Sequence, residues 1–117
     1  MYTYKAKLIR VIDGDTIDAE IDLGFEVFIK QRIRLYGINT PDSRSKHEEE
    51  KVMGLESKQH LTELLTSEFI VETILNKRGK FGRILGIIYS VDVQTQQKTN
   101  INDKLVADGF AKPYLLK

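Results

Sequence analysis

The chain has no cysteine. That excludes disulfides, thiolate metal sites and a cysteine nucleophile, and it fits a reducing compartment. There is no apolar run near the ~20 residues that a membrane-spanning helix needs. The start, Met1-Tyr-Thr-Tyr-Lys-Ala-Lys7, lacks the apolar stretch of a secretion signal. The expectation is a cytoplasmic chain with no membrane partner. Also missing is the strong excess of positive charge that marks many nucleic-acid binders. Eighteen Lys and Arg face 17 Asp and Glu, for a net charge of +1. Attraction for phosphate must therefore come from local clustering. One cluster is present: Lys77, Arg78, Lys80 and Arg83 lie close together with no acidic residue among them, and Gly79 and Gly82 make that segment a loop. Internal repeats and low-complexity tracts are absent as well.

What is there reads as one small domain. A length of 117 residues supports a modest single core, and the 41% apolar and 30% charged fractions are those of an ordinary globular protein. Tyr4–Ile12 and Thr16–Ile21 read as strands separated by the Asp13-Gly14 turn. Phe25, Val27, Ile29, Ile33 and Leu35 keep a period of two, which predicts a long strand with one buried face. Ser43–Lys51 is polar, a loop or the ragged start of a helix. Leu61, Leu64 and Leu65 lie at helical spacing in a predicted helix over Leu55–Ser67. Phe69–Leu75 and Ile84–Val91 are β-branched and apolar, hence strands, and Asp92–Thr99 is a polar connection. Asn100 or Asn102 can cap a short helix that Gly109 ends. Three strands, a helix, two strands and a helix satisfy a five-stranded antiparallel Greek-key barrel with a capping helix and a short C-terminal helix. That is the α+β layout of the OB-fold, which binds nucleic acids and sugars.

The chemistry sits in three separated segments: Asp13-Gly14-Asp15-Thr16, Arg34-Leu-Tyr-Gly-Ile-Asn39-Thr40-Pro41-Asp42, and Lys80-Phe81-Gly82-Arg83. Together they offer carboxylates, an amide oxygen, a pre-proline carbonyl and two arginines. That inventory suits a hard cation and a phosphodiester. With Gly54 and the Leu105-Val106…Gly109-Phe110-Ala111 run, these motifs resemble the staphylococcal nuclease (thermonuclease) family. The resemblance runs from about Tyr4 to Tyr114 and implies an OB-type barrel that hydrolyses DNA and RNA with calcium. It implies one domain over residues 1–117, a monomer acting on single-stranded or flexible nucleic acid, and cleavage that leaves 3′-phosphate ends. The chain stops soon after Tyr114, where the family usually continues into another helix.

Carried onto this sequence, the resemblance makes Asp15, Asn39 and the carbonyl of Thr40 the metal ligands, with manganese as an alternative ion. It makes Arg34 and Arg83 the phosphate-binding arginines and Asp42 the group that positions the attacking water. Asp13 would sit just outside the ligand set. Two positions depart from the family pattern. Asn39 stands where an aspartate is usual, and an amide brings no negative charge to a calcium site. Asp42 stands where a glutamate is usual, and one methylene less shortens its reach by ~1 Å, a misplacement that can cost about 100-fold in rate. Lys80, Phe81 and Tyr114 are candidate substrate contacts, the two rings by stacking on bases. Plainer readings stand beside these: a simple hairpin at Asp13-Gly14, a loop-stabilising Asn39, ordinary ion pairs for the arginines (Arg32 included), a solvated helix start for Glu48–Glu50, and surface positions for His47 and His60. A non-catalytic nucleic-acid-binding module is the competing function.

Overall fold

The computed structural model describes residues 2–74 and 83–114. Five long strands form the frame: β1 (Thr3–Asp13), β2 (Thr16–Asp22), β3 (Phe28–Leu35), β5 (Glu68–Ile74) and β6 (Arg83–Val91). Three short ones accompany them: β4 (Ile38–Asn39), β7 (Lys98–Asn100) and β8 (Lys112–Pro113). The strand order β3-β2-β1-β5-β6 closes on itself through a β3–β6 pairing. This is a closed five-stranded barrel with the OB-like α+β architecture. One expectation needs correction, because the barrel is mixed rather than antiparallel. β3 and β6 run parallel, with Arg32 opposite Arg83 and Leu35 opposite Gly86. A parallel contact between strands so far apart in sequence leaves no hairpin turn to betray it.

Alternation fills the interior. Ile17, Ala19 and Ile21 of β2 and Ile33 and Leu35 of β3 are buried, joined by Val71, Ile88, Leu61, Ile101 and Leu105. Fully burying each of the larger of these side chains is worth about 1.5–3 kcal/mol. The outward positions of β3 are Phe28, Lys30, Arg32 and Arg34. The strand begins at Phe28 rather than Phe25, since Gly24, Phe25 and Glu26 take positive φ in a tight turn closed by Val27 N–H donating to the Gly24 carbonyl at 2.9 Å.

Helix α1 (Glu48–Leu64) starts earlier than expected, at the acidic run, and ends at Leu64. Gly54 therefore lies inside the helix. Glu48, Glu49 and Glu50 occupy the first turn, where the helix dipole favours carboxylates. The face that meets the barrel is made of Gly54, Ser57 and Leu61. Helix α2 (Ile101–Ala107) is capped by Asn100, whose side chain accepts the Asp103 N–H at 3.0 Å. Asn102 is no cap. It is buried, accepts the Ile88 N–H at 3.1 Å, and donates to the carbonyls of Tyr36 at 2.8 Å and Gly86 at 3.1 Å. One amide thus fastens α2 to β6 and to the turn after β3. Among the described residues no helix is long and apolar enough to cross a membrane.

Candidate functional site

The β1–β2 turn and the β3–β4 segment meet at one end of the barrel. Asp15 is only 7% exposed there, an expensive place for a carboxylate unless it is matched. It is matched three times. Its Oδ1 accepts the Thr16 hydroxyl at 3.0 Å, and its Oδ2 accepts the Thr40 N–H at 3.1 Å and Arg34 Nη1 at 3.1 Å. Arg34 Nη2 in turn donates to Asn39 Oδ1 at 3.3 Å, and Nη1 also reaches the Leu35 carbonyl at 3.2 Å. Asp15 from the β1–β2 turn therefore joins Arg34, Asn39 and Thr40 of the β3–β4 segment in one hydrogen-bonded group.

Close packing holds this group still. A Cβ on Gly14 would lie 2.7 Å from Ser57 Cβ and 2.9 Å from Thr40 Oγ1, so the turn needs glycine to dock between α1 and Thr40. A Cβ on Gly54 would lie 2.4 Å from the Ser43 nitrogen. The Ser57 hydroxyl donates to the Phe110 carbonyl at 2.7 Å, and Asp13 accepts the Ser43 N–H at 3.3 Å. Sequence reasoning overlooked Ser57, because a small polar residue in a helix carries no signal of its own. His60 is a correction of the same kind. It is half-buried rather than a surface residue, bonds Asp108 at 2.7 Å and stacks on Phe110 with ring centres 4.1 Å apart.

The remaining candidates stand differently. The Asp42 carboxylate accepts the Arg44 N–H at 2.8 Å in a local turn, while its own N–H donates to Glu50 at 3.4 Å. It has no bond to Arg34 or Asp15 among the described residues. Glu50 also accepts the Ser45 hydroxyl, so this acidic start of α1 pins the loop that carries Asp42. Arg32 does not share the Arg34 group, because Asp18 binds its guanidinium at 2.8 and 3.2 Å. Arg83 begins β6 in register with Arg32. Tyr114 is exposed, and its N–H donates to the Gly37 carbonyl at 2.8 Å, beside the β4–β8 ribbon. Lys80 and Phe81, with Lys77 and Arg78, lie outside the described residues.

The donors at this end suit a hard cation in kind. The Asp15 carboxylate, the Asn39 amide and Thr40 offer oxygen only, and Thr40 Oγ1 is buried with no hydrogen-bond partner among the described residues. They are poor in charge. No group of three His, Cys, Asp or Glu able to hold a metal occurs among the described residues, and Arg34 already balances Asp15.

Comparison with known proteins bears on the family of the chain. The chain is 28% identical over 107 residues to a thermonuclease of Staphylococcus hyicus, covering 91% of this chain and 57% of that protein. It is 31% identical over 108 residues to an uncharacterized endonuclease of Escherichia coli, covering 92% of this chain and 60% of the relative. With protein ParB of Escherichia coli it shares 28% over 115 residues, or 94% and 57%. The chain thus spans less than two thirds of the length of these relatives. Residues 32–117 match the family model for the staphylococcal nuclease homologue, a segment that takes in Arg34, Asn39, Thr40, Asp42 and Arg83 and leaves Asp15 just upstream. The chain belongs to the family of staphylococcal nuclease homologues.

Proposed function

We propose that this chain hydrolyses phosphodiester bonds in DNA or RNA, with little base selectivity, with divalent-cation assistance and at a low rate. One observation carries the reading: Arg34 and the buried Asp15 are held together with Asn39 and Thr40 at the barrel end. A planar guanidinium can meet two phosphoryl oxygens at once, which a lysine cannot. The two Arg34 nitrogens that now face Asp15 and Asn39 are the ones a phosphate would take. As the phosphoryl group reacts, negative charge gathers on its equatorial oxygens, and a fixed cation beside them lowers the barrier. Arg83, from the neighbouring strand, is the second candidate for that task.

Asp15, Asn39 and the Thr40 carbonyl are the residues that would hold a calcium ion, which when bound would add positive charge at the phosphate. The Thr16 hydroxyl and Thr40 N–H keep the Asp15 carboxylate in one orientation for that purpose. Asp42 is the candidate for orienting the attacking water, and to do so it must release the Arg44 N–H. That rearrangement, with the uncharged Asn39, is the reason for proposing a slow enzyme. These groups address phosphate and none reads a base edge, so low sequence specificity follows.

The engaged Asp42 carboxylate also favours a second reading, a nucleic-acid-binding module without efficient chemistry. Digestion of denatured DNA with calcium and then with a chelator separates the two. Calcium-dependent cleavage that Arg34→Ala abolishes supports hydrolysis. Binding without cleavage at high protein concentration supports the module and overturns the enzyme.

A further inference from the structure

The candidate ligands come from two pieces that meet the rest of the fold in different ways. Asp15 belongs to the barrel, on the turn between β1 and β2. Asn39 sits on β4, outside the closed sheet. Among the described residues the only strand paired with β4 is β8, with Ile38 opposite Pro113 and Asn39 opposite Lys112. A ribbon of two residues a side cannot hold itself, since even a longer isolated hairpin is marginal in water. Ile38 and Ala111 are buried and anchor the ribbon to the core. Apolar burial has no direction, however, and does not by itself aim an amide. The bonds of Arg34 to Asn39 and of Thr40 to Asp15 tie β4 to the barrel on one side. On the other side its placement depends on whatever holds β8.

Helix α1 supplies that hold. Ser57 and His60 are three residues apart and so share one face of the helix. The Ser57 hydroxyl donates to the Phe110 carbonyl at 2.7 Å, and Gly14 packs against the Ser57 Cβ. His60 grips the same stretch of chain one turn further on. Its ring stacks on Phe110, with centres 4.1 Å and planes 20° apart, and its Nε2 lies 2.7 Å from Asp108 Oδ2. Lys104 takes the other Asp108 oxygen at 3.0 Å. His60, followed by Lys104, holds the Asp108 carboxyl below its ordinary range. An ionised carboxylate only accepts, so Nε2 carries the proton and donates. Glu63 stands 4.0 Å from the other ring nitrogen. Both His60 and Asp108 are half-buried, where a charge-assisted hydrogen bond is stronger than on an open surface. From Asp108 the chain turns through Gly109 at φ +84° and runs by Phe110 and Ala111 into β8.

We propose that His60 and Asp108 are positioning residues of the candidate site: their bond latches the entry of β8 to α1, and through β8 it fixes where β4 presents Asn39. The inference rests on the reading of Asp15, Asn39 and the Thr40 carbonyl as calcium ligands, and it adds the device that sets one half of that set against the other. Helix α1 is the common reference. Through Ser57 it meets the turn that carries Asp15, and through His60 it meets the ribbon that carries Asn39. A constellation whose supporting contacts are lost by even ~1 Å binds and works less well. The two residues act through geometry, since neither is itself a ligand in this reading.

The test separates the hydrogen bond from the ring. His60→Phe keeps a ring on Phe110 and removes the donor. His60→Gln keeps a donor the same number of bonds from the backbone as Nε2, and His60→Asn offers one a bond too short. The first readout is NMR hydrogen exchange of the Tyr114 amide, which donates to the Gly37 carbonyl at 2.8 Å beside the ribbon. The Leu8 amide, bonded to the Ser67 carbonyl at 2.8 Å, is the reference in the barrel. The second readout is calcium affinity by titration calorimetry. In His60→Phe and His60→Asn the Tyr114 amide should exchange about tenfold faster, as expected for one lost charge-assisted hydrogen bond, while Leu8 changes less than about twofold. Calcium should bind about 3- to 10-fold more weakly, less than the loss for a group bonded directly to a ligand. His60→Gln should stay within about threefold of wild type in both measurements. A folded His60→Phe with unchanged Tyr114 exchange overturns the latch. So does faster exchange shared equally by Leu8, or one that His60→Gln does not reverse, since either makes His60 ordinary packing. If circular dichroism shows His60→Phe unfolded, Asp108→Ala is read in the same way from the other partner, and failure of both to fold also overturns the proposal. A loosened Tyr114 amide with unchanged calcium affinity removes the positioning role and overturns it too. If wild type binds no calcium while the exchange results are as expected, the calcium reading falls and the latch stands.

Discussion

Strand β2 ends in two turns that could hardly differ more. At one end Asp13, Gly14 and Asp15 are packed against α1 and Thr40, and every polar atom of the Asp15 carboxylate is engaged. At the other, Leu23, Phe25, Val27 and Phe28 are exposed, Phe25 completely, around a turn held only from within, by its own backbone and by the Asp22 carboxylate, which accepts the Gly24 N–H at 2.8 Å. Both turns join antiparallel strands. The first takes its shape from tertiary neighbours and the second from local dihedral angles. Functional groups need the first kind of end, because a side chain is positioned only as well as the elements that crowd it.

If that contrast is right, the largest effects come from crowding the packed end. Gly54→Ala pushes a methyl group into the Ser43 backbone, which cannot give way as a side chain tip would. The expected cost is about 3 kcal/mol, near the upper end for overpacking, read as a melting temperature lower by about 10 °C. Gly14→Ala meets Ser57 Cβ and Thr40 Oγ1, with an expected loss of about 1–2 kcal/mol. Its hydrolysis should fall further, about 10- to 100-fold, because the displaced turn carries Asp15. The double variant Gly14→Ala/Ser57→Gly should recover part of the stability; no recovery would mean that the contact with α1 is not what holds the turn. Charge is the next test of the same end. Asn39→Asp should tighten calcium binding about tenfold in titration calorimetry, equivalent to ~1.4 kcal/mol. Unchanged affinity would remove Asn39 from the ligand set.

At the open end the sign reverses. Phe25 and Glu26 occupy positive φ, a conformation that an Asn-Gly pair adopts at lower cost. Phe25→Asn with Glu26→Gly should raise stability by about 0.5–1 kcal/mol. It should leave hydrolysis unchanged. A destabilised variant would show that the exposed ring has contacts of its own. The smallest effect concerns pH. The Arg32 hydrogen bond, with Arg10, holds the Asp18 carboxyl below its ordinary range, and His60 followed by Lys104 does the same for Asp108. A lowered folded-state pKa contributes stability that is present above the ordinary carboxylate value and is lost as pH falls through the lowered one. Asp18→Asn and Asp108→Asn should each flatten the acid limb of a stability–pH curve and leave its slope near neutrality unchanged.

Much of this was legible beforehand, for reasons that vary by residue. Period-two alternation marked Ile33 and Leu35 as interior, and both are buried. The Asp13-Gly14 turn and the pre-proline Thr40 were visible as local chemistry, and the structure joins both to Arg34. The start of α1 was hidden because the helix meets the barrel with Gly54 and Ser57, which leave no apolar stripe. Phe25 and Val27 continued the alternation into a turn, so the strand was drawn too long. Asn102 looked like a cap because its type and position suit one; its burial depends on β6 and Tyr36, which local sequence does not announce. The parallel closure of β3 on β6 was invisible for the same reason.

That closure also dictates when the site can exist. The strand carrying Arg34 finds its second neighbour only in a segment that begins about 50 residues later, at Arg83. Contacts of such long separation form late and slowly, after the cost of bringing distant chain together has been met. A nascent chain released before β6 would hold Asp15 and Arg34 on an open, half-formed sheet. The candidate site is therefore expected among the last features to assemble, because the strand that carries Arg34 is not closed until β6 has been made.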